Sequence, residues 1–100
     1  MSDKPVKLNL SDICLAVELP EQVLLELVSH DIIQPQGERP SEWRFDVTMV
    51  TVVKRAVRLH RDLDLDWTAV AVIEELLEQR EQLLAENAAL RRRLHRFLEH

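Results

Sequence analysis

Residues 11–30, SDICLAVELPEQVLLELVSH, hold the reading that decides the fold. Ser11 to Glu18 predicts a short helix with Ile13, Cys14 and Val17 facing inward. Leu19-Pro20 then interrupts it, because the residue before a proline is pushed out of helical geometry. Pro20 suits the first position of a second helix, where its missing N–H costs nothing. That helix, Pro20 to about His30, is expected to bury Val23, Leu24, Leu27 and Val28. Two helices joined at so tight a corner form a helix-turn-helix.

Outward from that corner the pattern changes twice. On the N-terminal side, Val6 to Leu8 reads as a short extended lead-in. On the C-terminal side, Ile32-Ile33-Gln34-Pro35, a polar loop with Gly37 and Pro40, and Trp43-Arg44-Phe45 predict a small hairpin wing. Asp46 is placed to cap a third helix with apolar residues at Met49, Val52, Ala56, Leu59 and Leu63. Lys54, Arg55, Arg58 and Arg61 are expected on its solvated side, and His60 beside its apolar stripe. Trp43 with Phe45 should pack the wing onto the core. Trp67 should seal the corner after Asp66, which can cap the last helix.

Trp67 to about Glu99 contains neither glycine nor proline, so one helix of roughly 50 Å is expected. A heptad frame fits it. Ala69, Leu76, Leu83, Leu90 and Phe97 fall at one seam position, and Ile73, Arg80, Asn87 and Leu94 at the other. The segment outruns any core that a chain of this length could wrap around it, so a homodimer is expected through Leu76, Leu83, Asn87, Leu90, Leu94 and Phe97. Glu74, Glu75, Glu78, Glu81 and Glu86 precede Arg91, Arg92, Arg93 and Arg96. Antiparallel pairing would set acids against bases, although the helix dipole favours the same order in a single helix. The expected organisation is a head over residues 1–65 and a dimerisation helix over 66–100.

Composition restricts the function. Nothing resembles an apolar run of about 18 residues, so no membrane span is expected, and residues 1–10 lack the apolar centre of a secretion signal. The expected location is the cytoplasm. Cys14 is the only cysteine and reads as a small buried hydrophobe. The four histidines are scattered, so neither metal nor other cofactor is called for. No phosphate loop or nucleophile–base spacing is visible, so an enzyme is not expected. The net charge is −5, and residues 1–50 carry nine acids against four bases. Such a half suits a basic protein partner better than a phosphate backbone.

Helix-turn-helix, short wing, basic-faced helix and long terminal helix together resemble the MerR-type winged helix. The likeness rests on Ser11-Asp12-Ile13-Cys14, the Leu19-Pro20 corner, Asp31-Ile32-Ile33 and Trp43-Arg44-Phe45-Asp46. Within that group the chain resembles the CbpM chaperone modulators. The residues that carry this are Trp43 to Asp46, Arg55-Ala56-Val57-Arg58-Leu59, Leu63-Asp64-Leu65-Asp66-Trp67, Glu86-Asn87, Leu90-Arg91, Arg93-Leu94 and Arg96-Phe97. The resemblance implies binding to the J-domain of a CbpA-like co-chaperone of the DnaJ family. It implies inhibition by blocking engagement with DnaK.

Departures from the MerR pattern point the same way. DNA-reading members present arginine and tyrosine along the second helix, whereas Glu21 to Leu27 here holds two acids and no base. Trp43 stands where an arginine would be expected, and Arg44 is shifted by one. DNA binding is therefore not expected. Glu21 and Glu26 are the candidate partner contacts. The alternatives are a MerR-type DNA-binding transcriptional regulator, or a structural coiled-coil adaptor.

Overall fold

A computed structural model describes residues 6–99. Residues 1–5, which open the segment expected to lack a secretion signal, and His100 lie outside them. The elements run β1 (Lys7–Leu8), α1 (Leu10–Val17), α2 (Glu21–Ser29), β2 (Phe45–Asp46), α3 (Val47–Asp62) and α4 (Trp67–Leu98). The predicted architecture is found: mainly helical, with a helix-turn-helix head, a small wing and a long last helix.

α1 starts one residue before the predicted Ser11, and the reason is local. The Asn9 side chain accepts from the Asp12 N–H at 2.8 Å, and the Asp12 carboxylate accepts from the Asn9 N–H at 3.2 Å. This reciprocal box satisfies two amides that the first turn leaves open. Glu18 ends α1 in the left-handed region, at φ 56°. Pro20 is the residue before α2, one place earlier than predicted. α2 buries Leu24 and Leu27 completely, and α1 buries Ile13.

The wing is shorter than the predicted pair of strands. Gln36 and Arg44 exchange backbone hydrogen bonds at 3.1 and 2.9 Å, and among the described residues this single bridge closes the hairpin. Beyond it, Phe45 and Asp46 pair antiparallel with Leu8 and Lys7. The N-terminal lead-in is therefore the second strand of the sheet. This register holds Phe45 fully buried beside the nearly buried Ile33, with Trp43 edge-on to Phe45 at 6.0 Å between ring centres.

Gly37 turns the wing with φ 113°, and a Cβ there would sit 2.6 Å from the Glu42 carbonyl oxygen. Both the torsion and the backbone contact oppose a side chain. Gly37→Ala should therefore cost about 1–3 kcal/mol in a urea melt. A loss below about 0.5 kcal/mol would mean that the wing turn can re-form in another geometry.

Asp46 caps α3 by accepting from the Met49 N–H at 3.1 Å and from the Thr48 hydroxyl. The Thr48 bond is the largest of the effects that hold its carboxyl below the usual range. α3 buries Val53 and Ala56, with Met49, Val52 and Leu59 packed beside them. The stripe is thus centred on Val53, which the predicted spacing passed over. Leu63 does not belong to it: as the residue that ends α3 it is 60% exposed.

Asp66 caps α4, accepting from the Ala69 N–H at 2.8 Å. At the preceding corner the His60 ring stacks on Trp67 at 3.9 Å, and its Nδ1 lies 2.6 Å from the Leu65 carbonyl oxygen. Val70 is fully buried on the head. The 32-residue helix, about 48 Å long, then runs on past the core. The radius of gyration is 17.3 Å, against about 13 Å for a compact chain of this size.

Candidate interaction surfaces

The outward side of α2 presents Glu21, Gln22, Leu25, Glu26 and Ser29. Helical residues advance by about 100°, so five positions separate Glu21 from Glu26 by roughly 140°. The two predicted contacts thus lie on different flanks. Glu21 lines a shallow groove with Asn9, Ser11, Pro40, Ser41 and Arg44. Glu26 lies beside His30, with 3.8 Å between its carboxylate and Nδ1. No lysine or arginine interrupts the helix. Cys14, at the back of the α1–α2 corner, is half-buried, and burial first, then Glu21, raises its thiol above the ordinary value.

The basic stripe of α3 is not uniformly solvated. Arg55 turns towards α4 and grips Glu74, with Nε at 2.9 and 3.2 Å from the two carboxylate oxygens and Nη2 at 2.5 Å from one. Glu74 is 7% exposed and Arg55 38%. The hydrogen bonding of Arg55 to the Glu74 carboxylate is the largest cause raising the guanidinium above its ordinary value, opposed by burial. This corrects the prediction that placed Arg55 among the solvated bases. The signal was present: Glu74 follows Trp67 and Val70 at helical spacing, so a carboxylate occupies a core-facing turn. Lys54, Arg58 and Arg61 remain at the surface, around a shallow groove that they share with Val17, Glu18 and Leu19.

Beyond the head, the predicted seam residues of α4 are solvent-facing. Leu76, Leu83, Leu90, Leu94 and Phe97 are between 57% and 76% exposed, and Leu84 and Leu98 widen the stripe. Asn87 lies in the same row and is exposed; Ala69 and Ile73 are half-buried at the head. Among the described residues no helix is long and apolar enough to cross a membrane.

Comparison with known proteins accounts for the head and most of α4. Residues 8–92 match the family described as MerR HTH family regulatory protein. A protein of Pseudomonas putida (strain KT2440) named chaperone modulatory protein CbpM is 39% identical over 94% of this chain and 93% of its own length. Another of that name from Pseudomonas entomophila (strain L48) is 41% identical over 92% of this chain and 91% of its own. One from Salmonella paratyphi B is 37% identical over 100% of this chain and 99% of its own. With likeness of that depth running through the capped α1, the wing and the long last helix, the chain belongs to the CbpM family, on a MerR-type scaffold.

Proposed function

We propose that this chain is a chaperone modulator that binds the J-domain of a CbpA-like co-chaperone of the DnaJ family. Binding lowers co-chaperone activity by occluding the surface that engages DnaK. The observation that carries this reading is the alignment with proteins named chaperone modulatory protein CbpM over nearly the whole chain. The exposed face of α2 supports it, since Glu21 and Glu26 stand where a DNA-reading helix would need cations. The chain acts as a homodimer, joined through the α4 row of Leu76, Leu83, Asn87, Leu90, Leu94 and Phe97.

Calorimetric titration with the J-domain tests the reading. Saturable binding at near-physiological salt is expected, and no heat at several temperatures would remove it. Glu21→Lys with Glu26→Lys should weaken that binding about tenfold or more, mainly through slower association. Unchanged affinity would move the contact off α2.

The match to MerR regulators and the surface cations Lys54, Arg58 and Arg61 favour a second reading, a DNA-binding regulator. It requires duplex binding that weakens steeply with salt.

A further inference from the structure

A groove of about 670 Å³ runs between the end of α2, the start of the wing and the first turns of α4. Its apolar lining includes Ile32, Val52 and Val72, and its acidic lining Asp31, Glu75 and Glu78. We propose that this groove receives a cationic amphipathic helix of the protein partner. The proposal rests on the preceding reading that the chain works by binding another protein, and it gives that contact a place and a chemistry.

Charge comes first. Among the described residues the ion pairs are His30–Glu26, Arg55–Glu74 and His95–Glu99, so Asp31, Glu75 and Glu78 have no cationic partner. Glu74 also borders the groove, but Arg55 already compensates it. The walls therefore keep three uncompensated carboxylates around apolar surface. A metal ion or a small polyamine would leave that surface wet, and an apolar peptide would strip water from the carboxylates without replacing it. A helix with one leucine-like face and flanking lysines or arginines satisfies both. Along α4 the groove runs from Thr68 to Glu78, about 15 Å, which suits two to three turns of such a helix.

Position separates this occupant from a second copy of the chain. Taking 100° per residue, Glu75 and Glu78 lie on average roughly 120° around α4 from Leu76 and Leu83, on the flank next to the head-facing Val70 and Glu74. Pairing through the leucine row thus leaves the groove open. The same three acids are assembled from two segments, and only Asp31 adjoins α2.

The test uses the full chain and the double variant Glu75→Lys/Glu78→Lys. Both side chains are exposed, so the variant should melt as the wild type does. A charge-matched control, Glu38→Lys/Glu42→Lys, makes the same change in net charge on the wing. The groove variant should lose about 30-fold or more in J-domain affinity, and the control less than about threefold. Amide exchange should slow at residues 31–34 and 68–78 in the complex. If the wild type binds the J-domain and the groove variant binds it equally well, the groove is wrong while the function stands. If the wild type binds no J-domain, the function falls and the groove is judged on a designed 14-residue leucine–lysine helix. Binding of that peptide to wild type and control but not to the groove variant keeps the site, and equal binding to all three overturns it. Protection of the groove that rises with the chain's own concentration, without peptide or J-domain, would show a second copy there and overturn the partner.

Discussion

Replacing Arg55 with alanine is expected to lower the stability of the fold by about 2–3 kcal/mol, read as a shift in the urea midpoint with an unchanged slope. The loss comes from what remains. Glu74 is 7% exposed and takes all three of its described side-chain hydrogen bonds from Arg55. Without the guanidinium, a carboxylate would sit between α3 and α4 with neither water nor a cation to compensate it. Losing one partner of a fully buried pair costs about 3–5 kcal/mol; here Arg55 is 38% exposed, so solvent recovers part of that. The companion experiment replaces both partners, Arg55→Met with Glu74→Leu. Most of the lost stability should return, because apolar side chains of similar size fill the contact and no charge is left over. A loss below about 0.5 kcal/mol in the single variant would mean that the α3–α4 joint is held by Val53, Ala56 and Val70 alone.

That ion pair also marks the boundary of what the sequence could tell. Features encoded within a few residues were legible: the Leu19-Pro20 corner, the Asp46 and Asp66 caps and the unbroken run of α4 each depend on neighbours in the chain. The Asn9 cap depends on neighbours as well, but Ser11 offered a competing start, and only the Asp12 reciprocal bond decides between them. Pairings between distant segments were not legible. Nothing in Val6 to Leu8 announces that it will lie opposite Phe45 and Asp46, and although Glu74 falls on a core-facing turn, no local periodicity tells whether Arg55 or Arg58 will meet it. The aromatic corner of His60 and Trp67 was visible only as two residues near a helix junction. Surfaces divide in the same way. The α4 leucine row follows from one helix and could be read directly. The acidic groove joins residues after α2, on α3 and on α4, so it exists only once those segments meet.

Leu83→Lys combined with Leu90→Lys should convert the dimer proposed here to a monomer at every concentration accessible to light scattering. The head does not reach these positions: beyond about Glu78 the outward leucines of α4 stay more than half exposed among the described residues. A lone helical segment of some 20 residues is marginal in water, whereas paired leucines would each remove about 1.5–3 kcal/mol of exposed apolar cost. Two lysines per protomer put four charges into a seam that otherwise carries only Arg80 and Asn87 as polar members. Dimer affinity should then fall by about three orders of magnitude or more. Helical content should fall with it, because the distal half of α4 loses what stabilises it. A control on the outer side, Gln82→Lys with Ala85→Lys, adds the same charge away from the heptad positions and should leave the dimer intact. Arrangement can be read from the same molecule by joining cysteine-labelled ends. In an antiparallel pair the acid-rich first half of each α4 lies alongside the partner's arginine-rich last turns, while Glu75 and Glu78 stay on the outer side with Gln82 and Ala85. A parallel pair would bring the two arginine clusters together and should strengthen with salt, which screens their repulsion. A double lysine variant that stays dimeric would place the contact on the head, and α4 would then be a free arm.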